Sequence, residues 1–239
     1  MSDTLALRAE HWLPAARPRA ILFDAGLTLI HPSGRILVEE LERHGVAPGQ
    51  VSPEQAVSAL VMAAEARHLR LPSRLNGNEK VAVTWATLLG LDAGEATAGF
   101  MAATAREDLY RDIDAGALDT VRGLRERGIL LGAVSNSEGT LREDLAVFGL
   151  LEHFDVVLDS TVVGIEKPEP GIFQLALDEL GLRGEECWYV GDGLVNDVLG
   201  SQRAGFGAGI LYDPFRCFGH LPAVARIEAL TDLIRLVAD

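Results

Sequence analysis

Residues 20–29 read Ala20-Ile21-Leu22-Phe23-Asp24-Ala25-Gly26-Leu27-Thr28-Leu29, a short apolar run that leads directly into a carboxylate. Pro18 precedes this run and Pro32 follows it, a pattern typical of a buried strand in a parallel sheet. A buried strand that ends in a carboxylate is costly unless the carboxylate has a partner. Because ligands bind at the carboxyl ends of the strands in open α/β sheets, Asp24 is the first candidate for chemistry.

Length and composition limit the class of protein. The chain has 239 residues, is 48% apolar and carries a net charge of −14, with a mean hydropathy of +0.17 and a pI of about 4.8. This length suits one large domain, or a core with a smaller insert. The acidic balance argues against binding to nucleic acid or to an anionic membrane surface. No apolar stretch is long enough to span a bilayer, and no apolar secretion segment is seen.

We therefore expect a cytoplasmic protein without nucleic-acid or membrane partners, either a monomer or a homodimer. Cys187 and Cys217 lack metal-ligand spacing, and we expect both to be reduced thiols in the core.

The periodicity of apolar residues changes twice along the chain. After the first strand, four helices are predicted in succession, at about 33–44, 52–68, 79–91 and 94–110, which is typical of a small helical bundle. From residue 115 the pattern alternates. Strands are predicted at 129–134, 156–158, 187–190, 209–212 and 226–229, and helices at 118–127, 140–148, 171–180, 195–204 and 230–237. The sequence predicts an α/β fold: a doubly wound parallel-sheet (Rossmann-like) core of residues 1–30 and 112–239, with an inserted helical-bundle domain at 31–111.

Polar side chains follow four of the predicted core strands. Asp24 and Thr28 follow the first strand, Ser135-Asn136 the second, Lys167-Pro168 the third, and Gly191-Asp192 with Asn196-Asp197 the fourth. Parallel strands with regular crossovers bring these ends to one edge of the sheet. Only two of the 21 basic residues are lysines. A lysine that persists against this bias suggests a site that needs a compact ammonium rather than a guanidinium fork.

These residue types suit phosphoryl transfer. The Asp24 carboxylate can attack phosphorus. Asp192, Asp197 and a backbone carbonyl of the first loop offer hard oxygen ligands to Mg²⁺, which would offset repulsion between an anionic nucleophile and an anionic substrate. Ser135 can donate to the transferring oxygens, and Lys167 adds positive charge.

The four ordered motifs resemble those of the haloacid dehalogenase superfamily, which includes aspartate-nucleophile phosphohydrolases, and the predicted insert lies where that family carries a helical cap. The resemblance implies Asp24 as nucleophile and Lys167 as its catalytic partner. It implies phosphate binding by Ser135 and Lys167, with Thr28 supporting the first loop and Asn136 shaping the site. It also implies Mg²⁺ held by Asp24, the Gly26 carbonyl, Asp192 and Asp197, and a cap that closes over a small phosphorylated metabolite.

One position departs from the family pattern. Family phosphatases usually carry a second aspartate two residues after the nucleophile, as general acid and base, and Gly26 stands there in this chain. The loss of a positioned acid costs about 10²–10⁴-fold in rate. We expect slow turnover of alkyl phosphates and faster turnover of substrates with good leaving groups. His31 is an alternative acid.

Three other functions stay open at this stage. A dehalogenase of the same superfamily would need no metal, and its motifs lack an aspartate at the position of Asp192. A phosphonate hydrolase would need a cap lysine for a Schiff base, for which Lys80 is the candidate. The third alternative is a weakly catalytic module that binds a phosphometabolite or a protein.

Overall fold

The computed structural model describes residues 16–68, 75–219 and 224–238. The chain divides into two compact units. One comprises Met1–Leu29 together with Ile113–Asp239, and the other comprises Ile30–Asp112. No helix among the described residues combines the length and the hydropathy that crossing a membrane requires.

The first unit is built on a parallel sheet of six strands. In chain order, the strands within the described ranges are β1 (Ala20–Phe23), β2 (Ile30–Pro32), β3 (Tyr110–Ile113), β4 (Leu130–Ser135), β5 (Val156–Asp159), β6 (Cys187–Gly191), β7 (Ala208–Tyr212) and β8 (Arg226–Ile227). The sheet has the order β5-β4-β1-β6-β7-β8, and every pairing in it is parallel. Numbered within the sheet, this order is 3-2-1-4-5-6, the Rossmann arrangement, so the predicted fold class is confirmed.

The strand order reverses between β1 and β6, which makes the end of β1 the centre of the binding edge. β1 pairs with β4 on one side and with β6 on the other, so Phe23 lies beside both Ala133 and Val190. All four residues of β1 are fully buried. The apolar run of the sequence is therefore the central strand, and Asp24 follows it directly.

The described helices of this unit follow its strands in chain order. They are Ala117–Glu126, Leu141–Val147, Ser160–Val163, Pro170–Leu180, Gly200–Arg203 and Asp232–Leu236, with 3-10 turns at Leu151–His153 and Gly184–Glu186. The helix Pro170–Leu180 starts with proline in its first turn and ends at Gly181, whose φ of 65° suits glycine. Its buried residues Ile172 and Phe173 pack in one cluster with Leu22 of β1 and Tyr189 of β6.

The predicted helix at 195–204 is only partly correct. The chain forms a π-helix at Leu194–Leu199 and then the short α-helix Gly200–Arg203. The Val198 N–H reaches back five residues to the Gly193 carbonyl at 3.1 Å. This wider turn carries Asp197, and π-turns of this kind are frequent at functional sites.

In the second unit, the described residues form four α-helices, Gly34–Arg43, Pro53–Ala64, Gly77–Leu89 and Ala93–Thr104, and a 3-10 turn at Glu65–His68. Ser52 and Gln55 form the capping box that starts the second helix, through hydrogen bonds of 3.2 and 2.9 Å. The Trp85 indole is fully buried and donates to the Ala56 carbonyl at 2.8 Å, which ties the second helix to the third.

The prediction missed the small sheet formed by β2 and β3. The fourth helix ends at Thr104 rather than near Tyr110, and Tyr110–Ile113 is a strand. Tyr110, Arg111 and Asp112 are exposed. β3 has no alternating apolar face and β2 has only three residues, so neither strand leaves a clear periodic signal in the sequence.

Candidate active site

The candidate nucleophile is held at the centre of the sheet edge. The Asp24 N–H donates to the Val190 carbonyl of β6 at 2.8 Å, which extends the strand pairing to this residue. Its side chain is half-buried. Three donors converge on Asp24 Oδ1: the Ala25 N–H, the Ser135 hydroxyl and Lys167 Nζ, each at 2.8 Å. The carboxylate is thereby fixed in one orientation.

Thr28 joins the loop after β1 to the loop after β6. It is fully buried, and its Oγ1 accepts from the Asp192 N–H at 3.1 Å. The hydroxyl donates to Asp192 Oδ1 at 3.4 Å. Thr28 therefore orients Asp192.

Three carboxylates meet at this edge. Asp24, Asp192 and Asp197 each offer an oxygen that lies within 4.8 Å of the other two. Asp192 is 6% exposed and Asp197 is 1% exposed. Burial raises the pKa of Asp192 well above its usual range, and repulsion from Asp24 and Asp197 raises it further. Burial likewise raises the pKa of Asp197 to about 6, although Lys167 opposes the shift.

Two glycines make room for Asp197. A Cβ on Gly191 would overlap with the Asp197 carboxylate and lie 2.7 Å from its Cβ. The Gly193 N–H donates to Asp197 Oδ2 at 2.8 Å. Buried, mutually repelling carboxylate oxygens in a glycine-lined space fit a small divalent cation such as Mg²⁺, which prefers a few hard oxygen ligands.

Lys167 is the cation of the cluster. Its side chain is 1% exposed, and Nζ lies 2.8 Å from Asp24 Oδ1 and 2.7 Å from Asp197 Oδ1. Burial lowers the pKa of Lys167, but the two carboxylates outweigh burial and raise the pKa well above its usual value. Asn136 holds the lysine backbone through two reciprocal bonds, from Nδ2 to the Lys167 carbonyl at 3.0 Å and from the Lys167 N–H to Oδ1 at 2.8 Å.

The structure thus brings most of the predicted site residues into one connected group. Hydrogen bonds, ion pairs or carboxylate proximity link Asp24, Thr28, Ser135, Asn136, Lys167, Asp192 and Asp197. Gly26 lies in the same loop as Asp24, two residues later. The other two candidates belong to the second unit: His31 lies in β2, and Lys80 lies in the first turn of the helix Gly77–Leu89.

Two polar residues of this region were missed at the sequence level. Tyr189 of β6 is fully buried, and its hydroxyl contacts Lys167 Nζ. Asp159, the last residue of β5, accepts from the N–H groups of Gly139 and Leu141 at 3.0 and 3.2 Å, which fixes the loop after β4. A phenol inside an apolar strand and an acid at a strand end were the available signals, because buried polar groups require partners.

Of the two cysteines, only Cys187 is a core residue. Cys187 is buried, whereas Cys217 is partly exposed, and neither forms a disulfide. The expectation that both thiols lie in the core is therefore wrong for Cys217, which lies in a turn after β7.

Comparisons with known proteins agree on one family. Residues 9–205 match the family model of the haloacid dehalogenase-like hydrolases. The chain is 32% identical over 202 residues to haloacid dehalogenase-like hydrolase domain-containing protein 3 of Mus musculus, covering 78% of this chain and 79% of that protein. It is 38% identical over 114 residues to a phosphoserine phosphatase of Thermus thermophilus, covering 47% of this chain and 44% of that enzyme.

A solved structure supports the same assignment. The crystal structure of a HAD phosphatase from Thermococcus onnurineus superposes with a TM-score of 0.58 and 25% sequence identity, covering 92% of this chain and 97% of that one. The family match spans most of the chain, and the Mus musculus relative is covered over more than two thirds of its length. This chain belongs to the haloacid dehalogenase-like hydrolases and is an enzyme of that family.

Proposed function

We propose that this chain is a magnesium-dependent phosphatase that hydrolyses a small phosphorylated metabolite through an aspartyl-phosphate intermediate. One observation carries the proposal: three carboxylates lie within 4.8 Å of one another, and a buried ammonium bridges two of them. Of these groups, Asp24 is half-buried, whereas Asp192 and Asp197 are buried. The phosphoserine phosphatase among the relatives supports a phosphate monoester as substrate.

In the first step of the proposed reaction, a carboxylate oxygen of Asp24 bonds to phosphorus as the bond from phosphorus to the alcohol oxygen breaks. The alcohol leaves with a proton from solvent or from an acid. In the second step a water oxygen attacks the phosphorus, a proton is lost, and inorganic phosphate and the free Asp24 carboxylate are released. Ser135 and Lys167 donate to Asp24 Oδ1 in the structure. We propose that both also donate hydrogen bonds to the oxygens of the phosphoryl group during its transfer.

Asp24, Asp192, Asp197 and the Gly26 carbonyl are the groups that we propose to hold Mg²⁺. The ion would supply the positive charge that lets an anionic phosphate approach an anionic nucleophile. Among the described residues, Lys167 brings one positive charge to the three carboxylates, so the described cluster carries more negative than positive charge.

The glycine at position 26, where an acid would assist the leaving group, leads us to expect a particular substrate preference. Without an aspartate at this position, departure of the alcohol depends on its own basicity, so aryl or acyl phosphates should react faster than sugar phosphates. His31 is an alternative proton donor. We also propose that the helical unit Ile30–Asp112 serves as a cap and selects the substrate.

A screen of phosphorylated metabolites at fixed enzyme, with Mg²⁺ or with EDTA, tests this function. We expect turnover that requires Mg²⁺ and disappears in Asp24→Asn, whose side chain cannot form the acyl phosphate. Turnover of a haloacid in EDTA would instead support the dehalogenase. Borohydride trapping of a phosphonoaldehyde on Lys80 would support the phosphonate hydrolase. Equal binding by wild type and Asp24→Asn without any turnover would support the binding module.

A further inference from the structure

The Lys167 ammonium has three hydrogen-bond acceptors around it. Two are Asp24 Oδ1 and Asp197 Oδ1, at 2.8 and 2.7 Å. The third is the hydroxyl of Tyr189, at 3.0 Å. An ammonium group has three N–H donors and no acceptor, so these three partners use all of them.

The direction of the Tyr189 hydrogen bonds is fixed by its second partner. The Tyr189 hydroxyl lies 2.7 Å from the Val134 carbonyl, and a carbonyl can only accept, so the phenol proton points to Val134. A lone pair of the phenol oxygen is then available for Lys167. Burial raises the pKa of Tyr189 well above its usual value, which keeps the phenol protonated.

The tyrosine reaches across the central strand. Tyr189 lies on β6 and Val134 on β4, with β1 between them in the sheet. Its ring packs edge-on against Phe173 and Phe206, with ring centroids 5.1 and 5.9 Å away, respectively. These contacts hold the ring in place, so its hydroxyl stays next to the Lys167 ammonium.

We propose that Tyr189 is a positioning residue that holds the Lys167 ammonium at the nucleophile through the reaction. This inference rests on the proposed phosphatase function. Of the three acceptors, Asp24 is the one that changes when it becomes an acyl phosphate, because its carboxylate loses its charge. Tyr189 is neutral and stays outside the chemistry, so together with Asp197 it keeps Nζ in place while the third N–H moves from Asp24 to a phosphoryl oxygen.

Tyr189→Phe removes only the hydroxyl and tests this role. The variant leaves one N–H of a buried ammonium without its partner, and hydrogen bonds to charged groups are among the stronger ones. With p-nitrophenyl phosphate and Mg²⁺ we expect kcat to fall about tenfold while KM stays within about twofold. The reason is that the displaced lysine would stabilise the transition state less but would affect substrate binding little. Tyr212→Phe is the matched control. Tyr212 is 2% exposed, lies on β7 of the same sheet, and donates to Asp114 away from the cluster.

A double-variant cycle separates positioning from general loss of structure. If Tyr189 acts through the lysine, Tyr189→Phe should lower kcat about tenfold in wild type and hardly at all in Lys167→Met. Lys167→Gln is the second background if Lys167→Met fails to fold. Equal effects of Tyr189→Phe in both backgrounds, or equal kcat values of wild type and Tyr189→Phe, would overturn the inference.

Chemical unfolding in EDTA provides a readout that does not depend on turnover. The unfolding equilibrium constants of Tyr189→Phe and Lys167→Met should be non-additive by roughly threefold or more, whereas those of Tyr212→Phe and Lys167→Met should be additive. A wild-type enzyme without phosphatase activity but with this coupling would refute the proposed function and leave the contact intact. Additive unfolding of both pairs would refute the contact itself.

Discussion

Replacing Asp192 with asparagine should stabilise the protein when no divalent cation is present. The three clustered carboxylates lie within 4.8 Å of one another. Two unit charges at that distance repel by about 3.5 kcal/mol at an effective dielectric constant of about 20, since 332/(20 × 4.8) is about 3.5. Asparagine has the same shape, and its Oδ1 can still accept from Thr28. The substitution therefore removes charge while it keeps the hydrogen bond.

The net gain is smaller than the full repulsion. Lys167 attracts Asp192, and the wild-type carboxyl can avoid part of the cost by taking up a proton, as its raised pKa shows. We expect Asp192→Asn to raise the free energy of unfolding in EDTA at pH 8 by about 1–3 kcal/mol, which for a chain of this length is about 2–6 °C in Tm.

The raised pKa values of Asp192 and Asp197 predict that stability without metal falls as pH rises. A carboxyl whose pKa is raised by folding contributes its full stability below its unfolded pKa, and this contribution is lost as pH rises through the folded pKa. Wild type in EDTA should therefore lose stability from about pH 4 upward, through the pKa of Asp197 at about 6. Asp192→Asn lacks one such group, so its advantage over wild type should be larger at pH 8 than at pH 5.

Magnesium should reverse the order of stability. A ligand at 100 times its Kd stabilises the folded state by about 2.7 kcal/mol. We expect this gain in wild type and little of it in Asp192→Asn. Differential scanning fluorimetry with EDTA or Mg²⁺ measures both effects. Asp178→Asn is the control, since Asp178 is exposed and bonds only to Gln174 among the hydrogen bonds described for its side chain. A variant less stable than wild type in EDTA at pH 8, or stabilised by Mg²⁺ as much as wild type, would refute the reasoning.

Three further predictions concern single residues. Gly191→Ala should lower the free energy of unfolding by about 2–4 kcal/mol and weaken Mg²⁺ binding, because its Cβ would displace the Asp197 carboxylate. The control Gly219→Ala, whose Cβ would meet nothing nearer than 3.6 Å, should change neither quantity in denaturant and metal titrations. Gly26→Asp should raise kcat/KM for a sugar phosphate at least about tenfold relative to an aryl phosphate, because it restores a general acid. Gly26→Asn, which has no acidic proton, should not. Equal changes for both substrates would contradict the inference that this site lacks a general acid. Ellman's reagent should label Cys217 in the folded protein and Cys187 only in denaturant, because Cys187 is buried and its burial raises its pKa to about 12. Rapid labelling of the folded Cys217→Ser variant would contradict this prediction.

Much of the site could be predicted because parallel pairing turns sequence order into spatial order. Phe23 lies beside Ala133 and Val190, so the residues that follow β1, β4 and β6 must share an edge whatever the loops do. The strand ends are visible in the sequence as apolar runs that stop at Asp24, Ser135 and Asp192. The individual contacts between these polar groups, such as that of Thr28 with Asp192, leave no sequence signal because they depend on how each loop turns.

The features that the sequence did not reveal depend on contacts that leave no trace in the apolar periodicity. Tyr189 looks like one more core aromatic, and its role follows only from reaching Val134 over the intervening β1. The π-helical turn at Leu194–Leu199 has the same apolar content as an α-helix, and only the reach of Val198 to Gly193 distinguishes it. The β2–β3 sheet depends on two segments about 80 residues apart, and each is too short to give a clear periodic signal in the sequence.

The electrostatics of the cluster argue that stability has been given up for chemistry. Asp24 sits at the end of the most buried strand, and the glycine at 191 keeps the space that Asp197 fills rather than closing it. An apolar edge would pack better than three carboxylates held by one ammonium. A cation that binds there recovers the repulsion that folding has to overcome, so metal affinity and the instability of the metal-free protein have the same physical origin. A substitution that relieves the repulsion should therefore weaken metal binding by a comparable free energy.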